Sequence, residues 1–217
     1  ALTTPTAAPP EKGGDAGDLA EFGYEQQLHR SLGKFASFAA GFSFVSILTT
    51  IFQFFGFGGH DTVTVTGLNT AEAADVYPTH GIVVGDNFTI AWMDVEAAEF
   101  DGNGGDDVGI FYDSPGDDLF TASSGLSTFT GPGFVNQFVN CPNVRAYSSN
   151  GGADKAVLND SVGDDTLTTT QTYARIVGPS YYAIAHRFPE ARSYSTAGGT
   201  DTAMMFDTKG SDTFVGT

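Results

Sequence analysis

Aspartates recur in clusters along the second half of the chain, each cluster lying beside glycine and serine. Carboxylate oxygens are the preferred ligands of calcium, so several aspartates within six residues predict a calcium site. The same residue types also form turns, in which the side chain accepts hydrogen bonds from local backbone N–H groups without any metal. The second interpretation is favoured, and both stay open. The candidate ligands are Asp113, Asp117, Asp118, Asp160, Asp164, Asp165, Asp207 and Asp212.

These clusters belong to a repeat with a fixed offset of 47 residues. Residues 107–153 and 154–200 align without gaps, 15 of the 47 positions are identical, and residues 201–217 begin a third copy. A degenerate copy, shorter by one residue, occupies 61–106. A repeat of this length is typical of a unit that buries its apolar face by stacking on its own copies. We therefore expect about 3.3 copies.

Short apolar or β-branched runs predict five strands in each copy and no helix. In residues 154–200 they fall at 156–158, 166–170, 174–177, 181–185 and 191–196. Short strands separated by Gly, Pro and Asp favour an all-β fold, a parallel β-helix (β-solenoid), with about two coils per copy. A propeller blade of four strands has a similar period and is the alternative. The repeats also resemble those of large secreted bacterial β-helix proteins, on residues 112–118, 146–154 and 210–217. That resemblance implies an extracellular array without an assigned catalytic site.

The N-terminal residues differ from the repeats. Residues 35–59 contain no charged side chain. This uncharged run is long enough for one transmembrane helix, which needs about 20 residues. A buried helix of a soluble protein is the alternative. Arg30 and Lys34 precede this run, so the positive-inside rule predicts a cytoplasmic N-terminus, with the repeats extracellular or periplasmic.

Residues 18–59 resemble the N-terminus and first transmembrane helix of bacterial amino-acid permeases of the amino acid-polyamine-organocation superfamily. The resemblance implies that Ala40, Gly41, Phe42 and Ser43 match the interrupted part of that helix, which holds the substrate. A transport path needs further helices facing the first, and the repeats supply none. We therefore expect no transport by this chain alone.

The net charge, the single cysteine and the small number of polar residues that break the repeat limit the functions that the chain could have. The chain has 26 acidic and nine basic residues, a net charge of −17, which excludes nucleic acid as a natural partner. Its single cysteine, Cys141, excludes an internal disulfide. Only His186 and Arg187 break the repeat with polar side chains, standing where the preceding copy has Val139 and Asn140. One such pair is too little to predict an enzyme.

The sequence thus predicts a disordered leader (1–17), a permease-like segment with a transmembrane helix (18–59) and a β-solenoid (60–217). The predicted function is a non-enzymatic acidic solenoid, membrane-anchored or secreted, acting as a structural or adhesion module at the cell surface. Its expected partners are the membrane, through residues 35–59, a surface polysaccharide or protein, and its own copies end to end. No cofactor is expected other than calcium. A permease remnant fused to a repeat array, or a polysaccharide-active β-helix enzyme, are the alternatives.

Overall fold

The computed structural model describes residues 51–206 and 209–210, which lie in one compact unit. These residues form 17 strands and no helix. The strands are β1 (Ile51–Phe55), β2 (Thr62–Thr66), β3 (Ala73–Val76), β4 (His80–Val84), β5 (Thr89–Met93), β6 (Ala97–Asp101), β7 (Val108–Tyr112), β8 (Leu119–Ser123), β9 (Leu126–Gly131), β10 (Phe134–Val139), β11 (Asn143–Tyr147), β12 (Lys155–Asn159), β13 (Thr166–Thr169), β14 (Tyr173–Gly178), β15 (Tyr181–His186), β16 (Glu190–Tyr194) and β17 (Thr202–Met205).

The fold is a parallel β-solenoid made of two facing sheets. The ten-stranded sheet has the order β1-β5-β4-β3-β7-β11-β15-β14-β13-β17, and the seven-stranded sheet has the order β16-β12-β8-β9-β10-β6-β2. Strands that the chain reaches by crossing from the other sheet pair in parallel, as β7 does with β3 and β11. The five strands predicted in residues 154–200 are confirmed as β12 to β16.

Antiparallel meanders of three strands interrupt the parallel winding, and the sequence analysis did not foresee them. β8, β9 and β10 are joined by two-residue turns, one formed by Ser124 and Gly125 and the other by Pro132 and Gly133. Gly125 and Gly133 have φ values of 86° and 85°, which a side-chain-bearing residue adopts only with strain. These turns keep three consecutive strands in one sheet. The chain then crosses again.

The meander sets the number of coils in a copy. In each copy the first strand lies in one sheet, the next three form the meander in the opposite sheet, and the fifth lies in the first sheet again. One copy therefore makes one and a half coils of the solenoid. The expectation of about two coils per copy was therefore wrong. Strand starts in residues 107–153 and 154–200 differ by 47 positions, as Val108 and Lys155 do, but such strands lie in opposite sheets. Equivalent residues thus face opposite sides of the solenoid.

Phenylalanines fill the space between the two sheets. Phe111 is fully buried, and its ring stacks on Phe138 with centroids 4.0 Å apart and meets Phe129 at 5.5 Å. Strand residues alternate between this core and the outer faces, as in β7, where Gly109 and Phe111 point inward. Gly109 leaves no room for a side chain, because an added Cβ would lie 2.4 Å from the Phe138 ring. The core is continuous from Val65 to Ala185.

The predicted transmembrane helix at residues 35–59 is wrong where the structure describes it. Ile51–Phe55 is strand β1, which pairs in parallel with β5 at the edge of the ten-stranded sheet. Four of the five residues of β1 are apolar, and a short apolar run suits a strand as well as a helix, so tertiary pairing decides between them. Residues 35–50 lie outside the described part. Among the described residues, no helix has the length and apolarity needed to span a membrane.

Candidate cation site between stacked arcs

The aspartates lie in the segments that carry the chain from one sheet to the other, which we call arcs. Residues 113–118 form the arc between β7 and β8, and residues 148–154 form the arc between β11 and β12. Because β7 and β11 are neighbours, these two arcs stack on each other. The ends of these arcs pair backbone to backbone, as Asp113 does with Tyr147 and Asp118 with Lys155, whereas buried N–H groups between the ends need other partners. Carboxylates of one arc supply those partners to the next.

Asp113 links the two arcs and has one oxygen to spare. Its side chain is 2% exposed. Oδ2 accepts hydrogen bonds from the backbone N–H groups of Ser149 and Asn150, both at 2.7 Å. Oδ1 is buried and has no hydrogen-bond partner. A buried carboxylate oxygen without a donor is costly, so this atom is a candidate ligand for a cation.

Two further buried carboxylates lie beside Asp113. Asp118 accepts hydrogen bonds from the backbone N–H of Ser114 at 2.8 Å and from its hydroxyl at 2.9 Å. Asp154, on the next arc, accepts from the backbone N–H of Asp118 at 2.8 Å and from the Ser148 hydroxyl at 2.6 Å. One oxygen from each of the three aspartates lies within 4.8 Å of the others. We call Asp113, Asp118 and Asp154 the carboxylate triad.

The electrostatics of the carboxylate triad favour a cation. The pKa of Asp118 is raised, first by burial and then by the negative charges of Asp154 and Asp113, while hydrogen bonds from Ser114 oppose the shift. Within the described residues, Lys155 and Arg192 form ion pairs with Glu190, and no basic side chain forms an ion pair with the triad. The negative charge of the triad is therefore not balanced by an ion pair in this part of the chain. Three carboxylates this close repel one another, and a bound cation would relieve that repulsion. All-oxygen ligands suit calcium or magnesium rather than a soft metal.

The next copy repeats the hydrogen bonds in a more open setting. Asp165 accepts from the backbone N–H and hydroxyl of Ser161 at 2.9 Å, and the backbone N–H of Asp165 donates to Asp201 at 3.0 Å. Asp160 accepts from the N–H of Ala197 at 2.8 Å. Asp201 is exposed, and its pKa is lowered by a hydrogen bond from the Ser195 hydroxyl and then by one from the Asp165 N–H.

The preceding junction has two acids in place of three. Glu72 stands where the later copies have Asp118 and Asp165, and it accepts a hydrogen bond from the backbone N–H of Leu68 at 3.3 Å. Its own N–H donates to Asp107 at 2.8 Å. The position of Asp113 is taken by Gly67, whose added Cβ would lie 2.6 Å from a Glu72 carboxylate oxygen. The longer glutamate side chain therefore occupies the space of the third aspartate.

Sequence analysis found two of the three members of the triad. Asp113 and Asp118 are brought together, and Asp160 and Asp165 occupy equivalent places. Asp117 and Asp164 are exposed and cap the backbone N–H groups of Ala153 and Thr200, both at 2.8 Å, so they do not join a triad. Asp154 was missed, although Asp107, Asp154 and Asp201 recur at the 47-residue offset. Asp207, Asp212 and the segment Ala40, Gly41, Phe42 and Ser43 lie outside the described residues.

Comparisons with known proteins give little further guidance. No protein-family model and no solved structure matches the chain. A protein named amino-acid permease BAT1 homolog, from Oryza sativa subsp. japonica, is 37% identical over 86 residues. The match covers 32% of this chain and 16% of that protein. The likeness to permeases is thus partial, and the chain spans a small part of the relative's length.

Proposed function

We propose that this protein is a non-enzymatic, acidic β-solenoid that acts as a structural or adhesion module at the cell surface, with calcium binding its arcs together. The carboxylate triad is the observation that carries the proposal. Its three members come from two consecutive arcs, so a cation held there ties successive turns of the solenoid to each other. A repeat fold with charged, mutually repelling arcs gains rigidity from such a link.

The chemistry of the cation supports an extracellular location for the protein. Calcium sites in extracellular modules have dissociation constants of roughly 10⁻⁴ to 10⁻³ M, which suits a site with few charged ligands and some hydrogen bonds already committed. Calcium at such concentrations is an extracellular condition. The acidic surface also keeps an exported module soluble and disfavours nucleic acid and anionic lipid as partners. Attachment to a membrane through residues 35–50 is not needed for this role.

Calcium should raise the thermal stability of the protein. At a calcium concentration 100 times the dissociation constant, one site stabilises the folded state by about 2.7 kcal/mol. For a chain of this size, that corresponds to roughly 5 to 10 °C in the melting midpoint. The measurement is a thermal melt followed by circular dichroism, with calcium chloride against EDTA.

Matched variants test whether the arcs are responsible. In Asp113→Asn combined with Asp160→Asn, the amide oxygen keeps the backbone caps while the charge and the metal ligand are lost. We expect a higher midpoint than wild type in EDTA, because repulsion is relieved, and no response to calcium. The control, Asp117→Asn with Asp164→Asn, changes two exposed aspartates and should keep the response. An unchanged midpoint on adding calcium, or a full response in the first variant, contradicts the proposal.

End-to-end association is a further part of this role. The residues of β17 are all exposed, as are most of those in β16. Exposed strand edges template pairing with another chain. Size-exclusion chromatography with light scattering over a range of concentrations should show oligomers, and a monomer at every concentration would remove this part of the proposal.

The partial match to the rice permease homolog favours a second candidate, a remnant of an amino-acid permease. This hypothesis predicts that related chains carry further transmembrane helices after Gly59, because a transport path needs helices that face the first one. Related chains that continue into more 47-residue copies instead would support the surface module.

A further inference from the structure

The outer face of the ten-stranded sheet carries a row of stacked aromatic rings. Tyr77, Tyr112 and Tyr147 end the neighbouring strands β3, β7 and β11 or follow them directly, with ring centroids 4.2 and 5.7 Å apart. His80 stacks on one end of this row at 4.4 Å and His186 on the other at 4.6 Å. The rings lie within 15° of parallel to their neighbours. The register of β3, β7 and β11 places these rings in line.

Two arginines lie beside the His186 end of the row. Arg145 on β11 and Arg175 on β14 are in register with Ile184, one on each side of β15. Ile184 faces away from the core, yet it is 6% exposed. Arginine stems cover neighbouring apolar surface while the charged group stays outward, which explains this burial. Arg175 also lies over the Tyr173 ring, 5.9 Å from its centroid.

These arginines have unused hydrogen-bonding capacity. The Nε atoms of Arg145 and Arg175 are buried and have no hydrogen-bond partner among the described residues. Ion pairs in that part of the chain involve Lys155 and Arg192, on the other sheet. Burial lowers the pKa of His186, and the positive charges of Arg145 and Arg187 lower it further. This end of the row is therefore locally positive on a protein of net charge −17.

A pocket opens at the same place. Its volume is about 500 Å³, within the usual size range of small-molecule sites. Aromatic rings and polar groups line it together. The lining residues are Tyr112, Tyr147, Ser149, Thr172, His186 and Arg187.

Arg187 occupies a backbone position that arginine normally avoids. Its φ is 61°, and the equivalent residues of the two preceding copies are Asn140 at 50° and Asp94 at 57°. Asparagine and aspartate tolerate this left-handed conformation, whereas a long side chain adopts it only with strain. Local preference is thus broken where a charge enters the pocket. Such departures are a feature of functional positions.

The opposite sheet serves as an internal comparison. Because equivalent residues face opposite sides, the counterparts of Arg145, Ile184 and Arg175 are Glu99, Gln137 and Thr128, in the same register. Those of Tyr147, His186 and Tyr173 are Asp101, Val139 and Leu126. The fold accepts both sets, so strand pairing does not require the arginines, the histidine or the tyrosines. These side chains are therefore available for a role beyond strand pairing.

We propose that this patch binds an acidic polysaccharide through its uronate carboxylates. The patch consists of Arg145, Arg175, Arg187, Tyr147, Tyr173 and His186. Arginine presents a fork of donors that matches a carboxylate, and the tyrosine hydroxyls present donors and acceptors to sugar hydroxyls. The row spans neighbouring strands about 4.8 Å apart, so it offers regularly spaced contacts to an extended polymer. The inference names the partner of the adhesion module and rests on the proposed function for its setting.

The test uses the full chain and hexagalacturonate as the probe, titrated by isothermal calorimetry in EDTA at low salt. Arg187→Asn should weaken binding about tenfold or more, since a hydrogen bond to a charged group is worth roughly 1.5 to 3 kcal/mol. The melting midpoint of this variant should equal or exceed that of wild type, because asparagine suits the positive φ. The control Arg192→Gln changes an exposed arginine on the opposite sheet and should alter the affinity less than twofold.

Three results would overturn the inference. The first is no binding by wild type, and the second is equal loss in Arg187→Asn and Arg192→Gln. The third is a control ligand that binds as tightly as the uronate. Tight binding of neutral cellohexaose would show that the carboxylates are not recognised, and tight binding of a hexaglutamate peptide would show that the sugar is not recognised. Calcium-dependent stability is measured separately. If it persists without uronate binding, only the patch assignment fails.

Discussion

Asp107 should make the protein less stable as the pH rises from about 4 to 7. Its side chain is fully buried, Oδ1 accepts the backbone N–H of Glu72 at 2.8 Å, and Oδ2 has no partner. Burial, and then the nearby charge of Glu72, together raise the pKa of Asp107 from 3.8 to about 6, against the hydrogen bond from the Glu72 N–H. The folded protein therefore holds a proton that the unfolded chain releases at lower pH.

The sign and the size follow from linkage. Between the unfolded and folded pKa values, the folded state binds more protons, so the free energy of unfolding falls as the pH rises. The penalty is absent below pH 3.8 and complete above about pH 6. Raising the pKa of Asp107 from 3.8 to about 6 corresponds to about 3 kcal/mol at most. Solvent relaxation around the site reduces this figure, and we expect about 1 to 2 kcal/mol.

Urea denaturation at pH 4, 5, 6 and 7 in EDTA measures the effect. Asp107→Asn keeps the oxygen that accepts the Glu72 N–H and removes the ionisable group. The variant should match wild type near pH 4 and exceed its unfolding free energy by about 1 to 2 kcal/mol at pH 7. Asp106→Asn, at the exposed neighbour, is the control and should run parallel to wild type. A constant difference between Asp107→Asn and wild type across this range would refute the reasoning.

Two further predictions concern packing and backbone conformation. Phe111→Ala should lower the unfolding free energy by about 3 to 5 kcal/mol in urea denaturation, because Phe111 is fully buried, whereas Leu126→Ala, at a 45% exposed side chain, should cost under about 1 kcal/mol. Gly151→Ala and Gly152→Ala both place alanine at positive φ, which costs about 1 to 2 kcal/mol. Gly152→Ala should cost clearly more in the same assay, because its Cβ would lie 2.0 Å from the Gly116 carbonyl oxygen, and equal losses would contradict that account.

Local signals in the sequence located most of the strands and the turns. Apolar and β-branched runs placed the five strands of residues 154–200, because a half-buried strand needs alternating apolar side chains whichever sheet it joins. Pro132 and Gly133 are also typical of a tight hairpin, and this pair predicts the antiparallel meander that the sequence analysis did not include. The strand at Ile51–Phe55 was mistaken for part of a helix. Its pairing with β5 lies outside any local pattern.

The candidate sites were predictable only in part. Asp113 and Asp118 share one turn, so the sequence showed that they lie close together. Asp154 joins them because β7 and β11 are neighbours, a pairing between residues 35 positions apart that sequence spacing does not reveal. His186 and Arg187 stood out as a break in the repeat, but their partners Arg145 and Tyr147 became visible only with the register of β11 and β15.

The sequence by itself determined the strand lengths, the turn positions and an acidic repeat with a 47-residue offset. These features depend on each residue's own conformational preferences and on side-chain alternation. Only the tertiary structure decided that a copy makes one and a half turns, which places equivalent residues on opposite faces. The number of coils in a copy depends on which strands pair, and pairing joins segments that are distant in the sequence. It brings the carboxylate triad together between arcs, and it gives the two faces of the solenoid different chemistry from one repeated sequence.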